Sequence, residues 1–60
     1  MTKAHKSQVR EILLQLTDLQ NRLNTTYWDI GEDASTLEEI AMKRTIADLK
    51  SAIKHLTGVI

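Results

Sequence analysis

The stretch that decides the fold reads YWDIGEDAST, residues 27–36, and it separates two long segments with helical periodicity. It holds Gly31, the only glycine away from the chain ends. A glycine adopts positive φ at no steric cost and commonly follows the last residue of a helix. The stretch therefore predicts the end of one helix, a loop over about residues 31–35, and the start of a second helix. Gly58 predicts, in the same way, that the second helix ends at Thr57.

The start of the second helix fits a capping box. In this motif a Ser or Thr side chain and a carboxylate three residues later bond to each other's backbone amides. Ser35 with Glu38 and Thr36 with Glu39 fit the pattern equally well. The two fits place the start of the second helix one residue apart, and the sequence does not choose between them.

Apolar residues recur every three or four positions on both sides of the turn, which is the spacing of one helix face. In the first helix, predicted over about residues 5–30, this face consists of Val9, Ile12, Leu16, Leu19 and Leu23, widened by Leu13. In the second helix, predicted over about residues 36–57, it consists of Met42, Ile46, Leu49, Ile53 and Leu56. Both are heptad repeats of the kind that line coiled coils and helical bundles.

The two repeats match each other in an antiparallel hairpin, where the numbers of facing residues add to a constant. Five pairs give the same total of 65, namely Val9 with Leu56, Ile12 with Ile53, Leu16 with Leu49, Leu19 with Ile46, and Leu23 with Met42. The midpoint falls between Glu32 and Asp33, inside the turn. We predict a single all-α domain over residues 1–60, folded as an antiparallel helix–loop–helix hairpin.

The small size of the chain predicts self-association. A domain of 60 residues buries only about 60% of the surface that its unfolded chain exposes, and this chain has no cysteine to cross-link it. Leu13, Ala41 and Ala52 widen the apolar stripes beyond what one neighbouring helix covers. Small domains without cross-links commonly complete their core by oligomerising. We expect a homodimer forming a four-helix bundle, and the alternative is a hairpin that completes its core on another protein.

Composition excludes several classes of function. The longest apolar run is three residues, so we expect no membrane span. No basic-then-apolar signal segment opens the chain, so we expect a cytoplasmic protein. Eight basic and eight acidic residues give zero net charge, which is unlike the positive charge usual in nucleic-acid-binding proteins. No cysteine, nucleophile motif or glycine-rich phosphate loop is present, so we expect no enzyme, cofactor or metal. His5 and His55, without a cysteine nearby, are only a weak signal for a metal site, and His5, opposite Ile60, is expected to be partly buried.

Several apolar residues remain outside the helix faces. Tyr27 and Trp28 are the only aromatic residues, and Leu37 and Ile40 lie just beyond the same turn. These residues either close the end of the bundle or form a docking patch, since Trp and Tyr are enriched at binding hot spots. Leu14 points away from the predicted core and is a further candidate anchor. The partner-binding candidates are therefore Leu14, Tyr27, Trp28, Leu37 and Ile40.

Charge is divided between the two ends of the predicted rod. Residues 1–10 hold Lys3, Lys6 and Arg10 and no acid, whereas residues 29–39 hold five acids and no base. The pattern is typical of helix-dipole complementation, and also of antiparallel stacking of two copies. A basic helix face can also track phosphates. In length and hairpin plan the chain resembles the small plasmid-encoded Rop-type RNA-binding bundles, and the resemblance covers the helical layout without any specific motif.

Together these patterns predict a small non-enzymatic protein–protein interaction module that acts as a homo-oligomeric hairpin. An adaptor, an inhibitor, a chaperone and an assembly or regulatory factor all fit this description. The alternative is a regulatory bundle that binds RNA or DNA through Lys3, Lys6 and Arg10.

Overall fold

In a computed structural model, which describes residues 1–60, two helices lie side by side and are joined by a short turn. Helix α1 spans Lys3–Ile30, a 3₁₀ turn spans Gly31–Asp33, and helix α2 spans Thr36–Thr57. No strand is present, and the predicted all-α hairpin is confirmed. The molecule is a rod of 46 × 16 × 10 Å, one helix thick in its smallest dimension.

Helix α1 is defined at both ends by local chemistry. The Thr2 hydroxyl accepts a hydrogen bond from the His5 N–H at 3.2 Å, so α1 begins two residues before the predicted position. At the other end Gly31 has φ +54°, and no atom lies within 4 Å of the place where a Cβ would stand. Glycine is therefore required at this position by the backbone conformation and not by a close contact.

A capping box centred on Ser35 starts α2 and resolves the choice that the sequence left open. The Ser35 hydroxyl accepts from the Glu38 N–H at 3.2 Å, and the Ser35 N–H donates to the Glu38 carboxylate at 3.0 Å. Hydrogen bonding from Ser35 to the Glu38 carboxylate lowers the pKa of Glu38, the backbone N–H having the larger effect and the hydroxyl the smaller. Thr36 is then the first helical residue, and Glu39 is left free for other contacts.

The end of α2 differs in mechanism from the prediction. The helix does end at Thr57, but Gly58 keeps right-handed helical angles, with φ −66° and ψ −16°. The Val59 N–H donates to the Leu56 carbonyl at 3.1 Å, so the last turn tightens to three-residue spacing. The left-handed conformation that glycine favours is therefore not used here.

The contact between the helices buries one residue, Ile46, while the rest of the inner surface is half-buried. The inner face of α2 matches the predicted repeat, with Met42, Leu49, Ile53 and Leu56 around Ile46. The inner face of α1 differs from the predicted repeat. Its half-buried residues are Val9, Leu13, Leu16, Thr17, Gln20, Leu23, Tyr27 and Ile30.

The difference on α1 concerns Ile12 and Leu19, which are 49% and 50% exposed. The apolar stripe of α1 is wider than the surface that one partner helix covers. Helix α2 packs against one edge of this stripe, so Leu13 and Gln20 face it while Ile12 and Leu19 lie at the open edge. One side of the α1 stripe is therefore left without a partner in the hairpin.

The capping box gives a first prediction. We expect Ser35→Ala to destabilise the fold by about 0.5–2 kcal/mol, because it removes the acceptor for one of the free amides of α2. Thr36→Ala is the matched control and is expected to have little effect, since Thr36 makes no capping bond. Urea denaturation followed by circular dichroism measures both. A larger loss in Thr36→Ala would contradict the assignment.

Acidification tests the same motif through Glu38. Because its pKa is lower in the folded than in the unfolded chain, its contribution to stability is complete above about pH 4.5, the usual glutamate value, and is lost as the pH falls through the folded-state pKa. Glu38→Gln keeps the shape of the cap without the charge. We expect the stability difference between wild type and Glu38→Gln to disappear at low pH.

Candidate protein interaction surfaces

An exposed apolar strip runs along one broad side of the hairpin. On α1, Ile12 and Leu19 lie about 60–80° from the centre of the inner face, at 100° per residue. Because α2 runs in the opposite direction, Ala41 and Ala52 fall on the same side, and both are exposed. We call these four residues the apolar side. Their arrangement is typical of a helix layer that packs on a second layer.

A cleft lies at the turn, where the end of α1 meets the start of α2. It has a volume of about 310 Å³ and is lined by Tyr27, Trp28, Gly31, Glu32, Ala34, Glu39 and Met42. The rings of Tyr27 and Trp28 meet edge to face, with centroids 5.4 Å apart and planes at 77°. Trp28 nevertheless remains 73% exposed. We call this set the turn cleft.

A polar network fixes the α2 wall of the turn cleft. The Tyr27 hydroxyl donates to the Glu39 carboxylate at 3.1 Å, and the Lys43 ammonium lies 3.3 Å from the same carboxylate. The ammonium also lies 5.9 Å from the centroid of the Tyr27 ring, within cation–π range. The Tyr27 hydroxyl and the Glu39 carboxylate together raise the pKa of Lys43. The cleft wall is thus a surface that already holds a cation.

The predicted partner-binding residues divide into three places. Tyr27 and Trp28 come together in the turn cleft, with Tyr27 half-buried. Leu37 and Ile40 are 80% and 58% exposed and do not line the cleft, so the residues near the turn form no buried plug. Leu14 is 72% exposed and lies on the outer surface of α1, where it and Leu19 line opposite edges of a shallow groove.

Sequence reasoning missed the acidic and apolar residues that complete the turn cleft, namely Glu32, Glu39 and Met42. The predicted pairing of the two helices gave one indication that Glu39 lies near Tyr27. Facing residue numbers were predicted to add to 65, and Tyr27 and Glu39 come within one of that total. The register therefore predicts that Tyr27 and Glu39 lie close together. The alternative capping box, Thr36 with Glu39, gave Glu39 a second possible role.

The open end of the hairpin carries cations without acidic partners. The three salt bridges join Arg22 to Asp18, Lys43 to Glu39, and Arg44 to Asp48, all one helical turn apart. The other five basic residues form none. We call these the basic end, which consists of Lys3, Lys6, Arg10, Lys50 and Lys54.

The two histidines do not form a site at this end. His5 is exposed, in contrast to the predicted partial burial, because α2 ends at Thr57 and extends no helical surface over it. No group of three or more His, Cys, Asp or Glu side chains is placed to hold a metal ion.

Comparison with known proteins found no match to the chain among family models, among curated proteins or among solved structures. Neither helix has both the length and the apolar character that crossing a lipid bilayer requires. Function must therefore follow from the chemistry of the apolar side, the turn cleft and the basic end.

The exposure of Trp28 gives a second prediction. We expect Trp28→Ala to change the free energy of unfolding by no more than about 0.5 kcal/mol, because the side chain is mostly in solvent. Ile46→Ala, at the one buried position, is expected to cost about 2–5 kcal/mol. Thermal melts followed by circular dichroism compare them. Unfolding of Trp28→Ala would assign Trp28 a structural role.

Proposed function

We propose that this protein is a non-enzymatic protein–protein interaction module that works as a homodimer, in which two hairpins pack through their apolar sides into a four-helix bundle. The observation that carries the proposal is the surface that the hairpin leaves exposed. A compact folded protein of 6.8 kDa exposes about 3,950 Å², whereas this hairpin exposes 4886 Å². The excess of roughly 900 Å² is close to the ~800 Å² that each partner buries in a standard interface.

The shape of the molecule supports the same conclusion. Its radius of gyration is 14.3 Å, compared with about 10.4 Å for a compact domain of this length. A layer one helix thick has only one inner surface, and here that surface buries a single side chain. A second hairpin on the apolar side would cover Ile12 and Leu19 and produce the two-layer arrangement of stable domains.

Charge supports an antiparallel arrangement of the two copies. Stacked antiparallel, each basic end lies beside the acidic turn of the other hairpin, whereas parallel stacking would bring like charges together. Helix-dipole complementation accounts for α2, which has acids in its first turn and Lys54 and His55 in its last. It does not account for α1, which has no acid in its first turn and no base in its last. The charges of α1 therefore favour the self-assembly interpretation.

Self-association gives a third prediction. We expect wild type to sediment at twice the 6.8 kDa monomer mass and Leu19→Asp to shift the equilibrium to monomer, because the variant places a charge in the interface. Leu14→Asp is the matched control, on the same helix and more exposed, but about 140° from Leu19. We expect it to remain dimeric. A wild type that is monomeric at high concentration, or equal losses in both variants, would contradict the proposal.

The unpaired cations of the basic end support a second function, binding of RNA or DNA phosphates through Lys3, Lys6 and Arg10. This function uses the same side chains as the antiparallel dimer, and it predicts a steep loss of affinity with salt. The five acids of residues 29–39 stand against it, because in the dimer they lie beside these cations and reduce the local positive potential.

Lys6→Glu separates the two functions and gives a fourth prediction. If the cations orient the dimer, we expect Lys6→Glu to weaken the dimer at low salt and less at high salt, and neither protein to retard nucleic acid in a gel. Arg22→Glu is the control in the middle of α1, where Arg22 pairs with Asp18. Salt-sensitive retardation by wild type that Lys6→Glu abolishes would favour nucleic-acid binding instead.

A further inference from the structure

We propose that the turn cleft binds a basic side chain, an arginine or lysine, presented by a partner protein. This inference rests on the interaction-module part of the proposed function and names the chemistry of a second partner, one other than the chain itself. The cleft volume of about 310 Å³ lies at the small end of the ~300–1,000 Å³ range of ligand pockets. It suits one side chain and its immediate neighbours better than a large ligand.

The lining of the turn cleft matches the chemistry of a cation. Trp28 and Tyr27 offer ring faces, and Glu32 and Glu39 offer carboxylates at the same opening. A guanidinium or ammonium binds favourably over aromatic rings, best over tryptophan, and pairs with carboxylates. Arginine fits this combination better than lysine, because its planar group stacks on a ring while donating to a carboxylate.

The charge of the surrounding segment is complementary to such a partner. Residues 29–39 contain five acids and no base. Glu38 is held in the capping box, and Glu39 pairs with Lys43. The other three carboxylates, Asp29, Glu32 and Asp33, have no salt bridge within the chain. Of these three, Glu32 lines the cleft itself, and Asp29 and Asp33 belong to the same segment, so a basic partner at the cleft would meet negative charge.

Lys43 shows how the cleft wall holds a cation. Its ammonium sits over the Tyr27 ring and beside Glu39, which combines the aromatic and carboxylate contacts that we propose for the partner. Lys43 therefore acts as an internal ligand on one side of the cleft. Trp28, 73% exposed, has no such cation. The partner side chain is expected over Trp28 and next to Glu32, where it competes in part with Lys43.

The position of the turn cleft leaves it open when the hairpins pair. Trp28 lies nine residues after Leu19, which is about 180° around α1 at 100° per residue. Trp28 therefore faces away from the apolar side, so the ring surface of the cleft lies outside the proposed apolar interface, whereas the acids of the turn contribute charge to both proposals. The two proposals are distinguished because Leu19→Asp disrupts only the apolar interface and Trp28→Ala only the cleft.

A peptide titration of the full chain tests the inference. The probe is a blocked tri-arginine peptide, and its control is the tri-citrulline peptide, which has the same shape without charge. We expect tri-arginine to shift the indole N–H resonance of Trp28, the only tryptophan, and tri-citrulline to leave it unchanged. Equal shifts with both peptides would overturn the requirement for a cation, and no shift with either would overturn the site.

Matched variants locate the binding. We expect Glu32→Gln and Trp28→Ala each to weaken tri-arginine binding about two- to fivefold in calorimetry, whereas Glu11→Gln, an equal charge change on the middle of α1, leaves it unchanged. Similar losses in Glu32→Gln and Glu11→Gln would show general charge attraction and overturn the site. The sedimentation mass of Trp28→Ala is expected to match wild type, so in that variant a loss of peptide binding is separate from a loss of the dimer.

Lys43→Met gives a test in the opposite direction. Removing the internal ligand frees Glu39 and the Tyr27 ring, so we expect affinity for tri-arginine to rise about two- to fivefold. Lys50→Met removes the same charge two helical turns further along α2 and is expected to have no effect. If both variants raise the affinity equally, net charge and not the turn cleft governs binding, and the proposal is wrong.

Discussion

Two helices side by side form one layer, and one layer has a single inner surface on which to bury apolar side chains. This constraint governs the rest of the structure. The hairpin buries Ile46 alone and leaves Ile12 and Leu19 half in solvent, although both belong to the same apolar stripe as Leu16. Since stability at this size is a small difference between large opposing terms, the uncovered edge of that stripe is a substantial fraction of what the chain can bury. This uncovered edge is the feature on which the proposed second layer depends.

The turn carries two kinds of chemistry that share neighbouring residues. Glu38 closes the capping box with Ser35, while Glu39, one residue on, faces Tyr27 and Lys43. Adjacent helical residues point about 100° apart. The Glu38 carboxylate can therefore cap the helix while the Glu39 carboxylate contacts the side chains of the cleft. Helix capping therefore explains only some of the acidic residues at the turn. Asp29, Glu32 and Asp33 make no capping bond to α2, and their charge is available at the surface.

Much of the fold could be predicted from the sequence because periodicity and local chemistry determine it. The two helices, the turn and the inner face of α2 follow from residue spacing, and Gly31 follows from the positive φ that the turn requires. Spacing could not decide how α1 is rotated about its axis. Leu13 and Ile12 are both apolar and differ by only 100°, so the choice between them depends on where α2 packs. Spacing also could not decide whether Ser35 or Thr36 caps α2. The pairs Ser35–Glu38 and Thr36–Glu39 fit the capping-box pattern equally well, and only the backbone geometry distinguishes them.

The turn cleft was harder to predict because it is a tertiary feature. Its lining comes from the end of α1, the turn and the first two helical turns of α2, and no local motif joins these parts. Its place on the side opposite Leu19 has a consequence for how the two proposed surfaces work together. In the antiparallel dimer the two clefts would lie at opposite ends of a rod 46 Å long, each on an outward surface. A partner with two basic segments would engage both clefts if its linker were long enough to pass around the bundle as well as along it, and the second contact would then be intramolecular. Dimerisation would in this way raise the affinity of a shallow, partly exposed site without any change in the site itself.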